Sequence, residues 1–350
     1  MSGMNHPHHP SERPAQPSEG TTLTSVRQAF LDALAGGFSR AGVLPQKIEW
    51  CLAEASSVIN PLSLAQIKGV FAALCSGDGW SGAPNTRSAL IESPPHLAEL
   101  SAAVVRGLTR GFVGEKGLES NVLPHLEKGR HVVFVANQRF MTDSSIIAHL
   151  IGRSLPDQLV EFSCADSFPE PFSRAILQGG RSIIRTWEST SDTLVKPIEA
   201  ISESPWNLLF KAMRGGHWPL LFPEALDYSA MQRWDAERQQ LLMQGQGWMI
   251  PEALPFRGGA IGPLMTDVPE TLGIDPARVA IIPVKVLYNG NVWHRYDLCE
   301  EIDTIVKFGR GIPLKFLHRE FGRAGTRSSL REAADFLQER VLSLGSSYLD

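Results

Sequence analysis

A short apolar segment followed by a loop and a helix start constrains the fold of this chain more than any other feature. His131–Ala136 reads HVVFVA, a Val-rich run with the length and composition of a buried strand. Residues 137–142 predict a loop, and Asp143 or Ser144 can then cap a helix with apolar residues at Ile146, Ile147 and Leu150. Because α/β folds place their chemistry at the carboxyl ends of such strands, we expect a functional site directly after residue 136.

The sequence from residue 113 to residue 350 predicts alternating strands and helices. Further strands are expected at 159–164, 181–185, 219–222, 280–287 and 292–297. Helices are expected at 143–151, 169–178, 190–203, 229–243 and 328–344, from apolar residues at helical spacing. Alternation of this kind predicts an α/β domain with a mixed sheet over residues 113–350.

The N-terminal part of the chain has a different pattern. Residues 1–21 are rich in Pro, Ser and His and predict a disordered tail. Residues 22–112 contain four runs of apolar residues at helical spacing, three of which begin at or near Pro45, Pro61 and Pro95. We therefore expect a small helical domain in front of the α/β domain.

Charge and hydropathy limit the class of partner. The net charge is −4 and the pI is about 6.2, which does not favour a nucleic-acid partner. No apolar run approaches the roughly 20 residues of a membrane span, so we expect a soluble cytoplasmic protein. A cluster of tryptophans could support peripheral membrane contact, although core packing explains these residues equally well; they are Trp187, Trp206, Trp218, Trp234 and Trp248.

The cysteines are far apart in the sequence and form no CxxC pair; they are Cys51, Cys75, Cys164 and Cys299. This spacing predicts reduced thiols rather than disulfides or a zinc site. We expect neither a metal nor a cofactor. Cys164, at the end of a predicted strand, is the one cysteine to consider as a nucleophile, and a buried inert thiol is the favoured interpretation.

The loop after the first strand resembles a family motif. Asn137-Gln138 and Asp143 resemble the first motif of the glycerolipid acyltransferase superfamily, Asn-His-x4-Asp at the end of a buried strand. The segment is most similar to the soluble, plastid-type glycerol-3-phosphate acyltransferases, in which the His is the general base and the Asp orients it. The resemblance implies that Asp143 orients and that Asn137, Gln138 and Arg139 contact the substrates. Gln138 stands where the family has its catalytic His.

Later segments resemble the other blocks of that superfamily. Residues 180–185, GRSIIR, resemble the second block, which implies that Arg181 or Arg185 faces the site. Phe222-Pro223-Glu224 resembles the third block, which implies that Glu224 contacts the acceptor and that Phe222 and Pro223 line the site. Residues 281–284, IIPV, resemble the fourth block, an apolar strand that lines an acyl channel; a buried edge strand would explain them as well.

Two departures from the family bear on activity. An amide has no useful basicity near neutral pH, and general-base catalysis typically contributes about 10²–10⁴ in rate, so Gln138 cannot replace the His. The basic residues that hold phosphate in the plastid-type enzymes are replaced by residues 225–227, ALD. An Asp in place of an Arg argues against glycerol-3-phosphate as the acceptor.

Three interpretations follow. The chain is an acyltransferase that uses an acyl-carrier-protein or coenzyme A thioester with a changed acceptor, held or activated by Glu224. Alternatively, it is a catalytically inactive homologue that binds an acyl chain, acyl carrier protein or a protein partner. The third interpretation is a chance match. An active enzyme needs a base within about 3 Å of the acceptor, and the candidates besides Glu224 are Asp143, His149 and His217. We expect His149 to point away from the loop and His217 to lie at the wrong end of its strand.

Overall fold

The computed structural model describes most of the chain between residues 22 and 345. The described residues are 22–40, 43–76, 95–138, 143–152, 159–162, 213–224, 228–246, 253–266, 273–288, 302–322 and 326–345, with the short pieces 176, 182–183, 187–188, 196–197, 210, 249 and 270. No helix in this part of the chain is both long and apolar enough to cross a membrane. The predicted tail at 1–21 lies outside the described residues.

Four helices precede the first strand. They are α1 (Leu23–Arg40), α2 (Pro45–Ile59), α3 (Leu64–Ser76) and α4 (Pro95–Thr109). Helices α2 and α4 pack closely, because a Cβ added at Gly107 of α4 would lie only 2.6 Å from the Cα of Cys51 in α2. At the same contact the buried Lys47 donates to the carbonyl of Leu108 over 3.0 Å and so satisfies the end of α4. The four predicted helices are therefore confirmed.

The main sheet follows a mixed order. Its strands are β1 (Arg110–Lys116), β2 (His131–Ala136), β3 (Leu159–Phe162), β4 (Ser182–Ile183), β7 (Trp218–Leu221), β8 (Val279–Tyr288), β9 (Ile302–Phe308) and β10 (Ile312–Pro313). The described strands lie in the order β1-β9-β8-β2-β7-β3-β4, with β10 beside β8. Strands β8, β2, β7, β3 and β4 are parallel, whereas β9 runs antiparallel to β8 and parallel to β1. Strands β5 (Trp187–Glu188) and β6 (Lys196–Pro197) form a separate pair.

Helices cover both faces of the sheet. The remaining helices are α5 (Leu123–Glu127), α6 (Asp143–Gly152), α7 (Tyr228–Met243), α8 (Gly258–Ile261), α9 (Leu314–Phe321) and α10 (Arg327–Leu342). Alternate residues of β2 enter two different apolar clusters, as a strand covered on both sides requires. Val132 and Phe134 pack with α1–α4 and α6, and Val133 and Val135 pack with α8–α10. The mixed-sheet α/β class is therefore confirmed.

The buried residues of α1–α4 join the cluster on one face of the sheet without a break. Phe134 in the middle of β2 illustrates this face, with its ring centroid 5.6 Å from that of Trp218 and 6.0 Å from that of Phe308. The helical segment and the sheet thus share one core in the described part of the chain. The boundary at residue 112 stays a prediction, although β1 already begins at Arg110.

Several sequence-based elements differ from the structure. Strand β1 and helix α9 were not expected, and residues 196–197 form a strand inside a segment predicted to be helical. Pro197 cannot donate within a helix, which explains that error. The predicted strand at 292–297, and all but Ile176 of the predicted helix at 169–178, lie outside the described residues. Trp218 and Trp234 are buried in the core, whereas the other three tryptophan side chains of the cluster fall outside the description.

The expectation that residues 281–284 form an edge strand was wrong. Strand β8 is central, with β2 on one side and β9 and β10 on the other. On that second side, β10 ends its pairing at Ile281 and β9 begins at Val284, so Pro283 lies where the neighbour changes. Its carbonyl accepts from Gly309 at 2.8 Å, and its missing N–H falls in the gap between the two partners.

Candidate functional site

The carboxyl ends of three neighbouring parallel strands bring polar side chains together. Asn137 and Gln138 follow β2, Glu224 follows β7, and Tyr288 ends β8; Asp143 opens helix α6 after the loop. We refer to these five residues as the carboxyl edge. All five are buried, which is unusual for so many polar groups in one place.

Glu224 is the central group of the carboxyl edge. Its Oε1 accepts a hydrogen bond of 2.9 Å from the backbone N–H of Gln138, which ties the end of β7 to the end of β2. Its Oε2 is buried and has no hydrogen-bond partner in the described part of the protein. Burial and, second, the negative charge of Asp143 raise the pKa of Glu224 to about 8, although hydrogen bonds from the backbone of Glu224 and Gln138 lower it. Near neutral pH the carboxyl group is therefore mostly protonated.

Asp143 is held by Tyr288. The Tyr288 hydroxyl donates to Oδ1 of Asp143, and both side chains are buried. Asp143 also occupies the first turn of α6, where backbone N–H groups and the helix dipole favour a carboxylate. The two carboxyl groups of the carboxyl edge are thus in different environments, one beside donors and one with a free buried oxygen. Such a difference separates the protonation states of an acid pair.

Two more buried polar groups have atoms without partners. Neither the Nδ2 nor the Oδ1 of Asn137 has a hydrogen-bond partner among the described residues, although its side chain is only 1% exposed. The Thr304 hydroxyl, on β9 directly across from Tyr288, is likewise buried without a partner in that set. An unsatisfied buried polar group costs about 1–3 kcal/mol, so unpaired atoms on Asn137 and Glu224, at the ends of neighbouring strands, are what a site that pairs with a ligand or with water would have.

The structure brings together only some of the predicted site residues. Asn137, Gln138, Asp143 and Glu224 meet at the carboxyl edge, as the motif resemblance implied. Phe222 and Pro223, just before Glu224, are buried, and Phe222 belongs to the apolar cluster that contains Phe134. The predicted substrate contacts at Arg139, Arg181 and Arg185 lie outside the described residues, as do residues 225–227. Those predictions remain predictions.

The two histidines considered as substitute bases lie away from Glu224. His217 precedes β7, so the length of that strand separates it from Glu224 at the other end. His149 is six residues after Asp143 in α6, roughly 9 Å along the helix axis at 1.5 Å per residue. Of the four candidate bases, Glu224 is therefore the one at the carboxyl edge with a buried oxygen that has no partner among the described residues.

Metal ligation and thiol chemistry have little support in the described residues. No group of three or more His, Cys, Asp or Glu side chains is arranged there to hold a metal ion. The Cys51 thiol is buried between α2 and α4, and burial raises its pKa to about 12, so it is not ionised near neutral pH. Cys164 lies outside the described residues.

Sequence reasoning missed Tyr288 and Thr304. Tyr288 is the polar end of a long apolar strand that follows the IIPV segment, which was a weak signal in the sequence. Thr304 reaches the site through the antiparallel pairing of β9, a strand that the sequence pattern did not reveal.

When the chain is compared with known proteins, no protein-family model and no curated protein matches it. The function is therefore inferred from the arrangement of the residues at the carboxyl edge.

Proposed function

We propose that the carboxyl edge is an acyl-transfer site in which Glu224 accepts the proton of the acceptor. The acyl donor in this proposal is a thioester of acyl carrier protein or coenzyme A, as the resemblance of the NQ-x4-D segment to the glycerolipid acyltransferases implies. The observation that supports it best is the buried Oε2 of Glu224, which has no hydrogen-bond partner among the described residues, like both amide atoms of Asn137.

The roles of the other residues follow from their contacts. Asp143, held by Tyr288, keeps a negative charge near Glu224 and thereby strengthens Glu224 as a proton acceptor. Asn137 can donate to and accept from an incoming acceptor because both of its amide atoms lack partners in the described residues. Gln138 positions Glu224 through its backbone N–H, a contact that does not depend on its side chain. In this proposal Glu224, and not Gln138, performs the proton transfer that the family assigns to its His.

A second candidate function is a binding protein without catalysis. The observation that favours it is the protonated state of Glu224 near neutral pH, which leaves only a minor fraction of the carboxyl able to accept a proton. In this case the fold would hold an acyl chain, an acyl carrier protein or another protein partner without transferring the acyl group.

An acyl-transfer assay separates the two functions. Acyl-carrier-protein and coenzyme A thioesters are offered with a mixed pool of alcohols and amines to the wild type and to the Glu224→Gln variant. The matched control is Glu339→Gln, which changes an exposed Glu on α10 in the same way. If Glu224 is the proton acceptor, Glu224→Gln loses about 10²–10⁴ in rate, and Glu339→Gln retains the wild-type rate.

The pH dependence and one further variant complete the test. The wild-type rate should rise with pH and level off above about pH 8, because the ionised form of Glu224 is the active one. Wild-type transfer that survives Glu224→Gln would contradict the assigned role. Transfer that occurs only after Gln138→His would instead identify the natural protein as the binding homologue.

A further inference from the structure

The described charge that acts on Glu224 is negative, and the described lysines on the neighbouring strands are not paired with it. Asp143 on α6 is the charged neighbour that acts on Glu224, and Tyr288 on β8 donates to Asp143. Lys285, three residues before Tyr288 in β8, donates from its amine to the carbonyls of Leu342 and Gly345 at the end of α10. Lys307 of β9 lies directly across from Lys285 in the sheet register. Among the described residues no cation is thus paired with Glu224, and the contribution of Asp143 makes their field at Oε2 of Glu224 negative.

The free atoms of the carboxyl edge suit one kind of ligand group. Glu224 offers an oxygen, and Asn137 offers a carbonyl oxygen and an amide N–H, all buried without partners in the described residues. A group with several N–H donors can satisfy both oxygens at once, which a hydroxyl with a single donor cannot do. A positive charge on that group would also compensate the Asp143 carboxylate.

We propose that the acceptor at the carboxyl edge is a primary amine, which enters as an ammonium and is held by the Glu224 carboxylate and the Asn137 side-chain carbonyl. This inference rests on the proposed acyl-transfer function and specifies its acceptor class. A phosphate ester is disfavoured by the same field, because it would bring a second negative charge next to Asp143.

The proton balance also favours an amine. An alkylammonium has a pKa of about 10, near that of a lysine, whereas an alcohol is a far weaker acid, similar to water. Burial raises the pKa of Glu224, so its carboxylate is a stronger base toward a desolvated ammonium than an ordinary carboxylate would be. The same carboxylate is far too weak a base to ionise an alcohol before attack.

The proposed reaction is the aminolysis of a thioester, in which each bond and proton can be followed. The ammonium gives one proton to Glu224, and its nitrogen lone pair attacks the thioester carbonyl carbon. A C–N bond forms, the C–S bond breaks, and the departing thiolate takes a second proton from the nitrogen. The products are an amide and a thiol, no redox change occurs, and Glu224 returns its proton to solvent.

Calorimetry with the full chain and no thioester tests the ammonium site separately from transfer. The probes are n-butylamine and butan-1-ol, which differ only in the binding group, each titrated at pH 7 in two buffers of different ionisation enthalpy. We expect butylamine to bind at least about tenfold more tightly than butan-1-ol. We expect its binding to release a proton, because the raised pKa of Glu224 keeps its carboxyl mostly protonated before binding and the bound ammonium favours the carboxylate.

Two variants show whether the proton that is released on binding comes from Glu224. Glu224→Gln should abolish the release, and the surface control Glu339→Gln should retain it. Butylamine binding without proton release, butan-1-ol binding of equal strength, or release that persists in Glu224→Gln would each overturn the inference. The wild-type measurement needs no variant, so a folding defect in Glu224→Gln does not remove the test.

A transfer assay on the same two probes separates this inference from the function on which it rests. Formation of N-butyl amide without butyl ester supports both. Formation of the ester alone would overturn the amine assignment and leave acyl transfer standing. Proton-linked amine binding with no transfer from any thioester would refute acyl transfer and retain the ammonium site.

Discussion

Two sets of buried polar groups in this protein differ in whether their atoms have partners. At the ends of α4 and α10, the buried Lys47 and Lys285 donate to backbone carbonyls that the helices leave unpaired. At the carboxyl edge, Asn137 and Glu224 are equally buried but keep atoms without partners in the described residues. The lysine contacts therefore stabilise the ends of these two helices, whereas polar groups without described partners reduce stability, which a functional role would explain.

The largest loss in the free energy of unfolding should come from removing a buried lysine whose hydrogen bonds are satisfied. Lys285→Met takes away the donor for the carbonyls of Leu342 and Gly345 in a buried place. We expect the free energy of unfolding to fall by about 3–5 kcal/mol, since two acceptors lose their partner and a packed end of α10 is disturbed. Chemical denaturation measures this, with Lys315→Met on the exposed side of α9 as the matched control at less than about 0.5 kcal/mol. Equal losses for the two variants would show that the buried hydrogen bonds of Lys285 do not stabilise the fold.

The next largest effect should be a gain in stability, from replacing Glu224. The pKa of Glu224 is higher in the folded protein than its ordinary value of 4.5, so the folded state binds more protons between pH 4.5 and 8 and loses stability as the pH rises through that window. Glu224→Gln cannot ionise and escapes this loss. Its stability relative to wild type should rise by about 3 kcal/mol from pH 4.5 to pH 7, at 1.36 kcal/mol per pKa unit. Denaturation at several pH values measures the difference, and a pH-independent difference would contradict the burial argument.

Tyr288→Phe sharpens the comparison within the carboxyl edge itself. It removes the hydroxyl that donates to the Asp143 carboxylate, without changing the ring that packs in the core. We expect a loss of about 2 kcal/mol in unfolding free energy, typical of a hydrogen bond to a charged group. Thermal and chemical denaturation are the measurements. A loss below about 0.5 kcal/mol would mean that Asp143 is held by its other neighbours.

The smallest effect should come from an unsatisfied hydroxyl. Thr304→Val replaces the buried, unpartnered hydroxyl on β9 by a methyl group of the same shape. Because no hydrogen bond to a described residue is lost, we expect no change or a gain of up to about 1 kcal/mol in the free energy of unfolding. A loss of more than about 1 kcal/mol would show that this hydroxyl has a structural partner such as buried water.

The sequence predicted the elements that have strong local patterns. The strand His131–Ala136 was predicted with its observed bounds, and the predicted helices at 143–151, 229–243 and 328–344 match α6, α7 and α10 within two residues. The resemblance to the acyltransferases implied that Asn137, Asp143 and Glu224 share one site, and in the structure they follow neighbouring strands whose carboxyl ends lie at one edge of the sheet. By contrast, strand β1 follows α4 without a break, and its short sequence RGFVGEK carries no clear alternation.

The remainder of the carboxyl edge depends on tertiary contacts that have no local signal. Tyr288 reaches Asp143 because β8 and β2 are parallel neighbours, and the two residues are separated by 145 positions in the chain. The raised pKa of Glu224 arises from burial, which the sequence FPE cannot reveal. The resemblance to the acyltransferases predicted which residues to examine, and the structure supplied their protonation and pairing.

The most direct test of the account is the titration of Glu224 itself. Carbon-13 NMR of Glu labelled at the side-chain carboxyl follows its protonation in the folded protein, with the signal assigned by its absence in Glu224→Gln. We expect a midpoint near pH 8, in keeping with a buried carboxyl beside Asp143. A midpoint near the ordinary value of about 4.5 would show an ionised, solvated Glu224 and would contradict the account of this edge as a buried site with a proton to exchange.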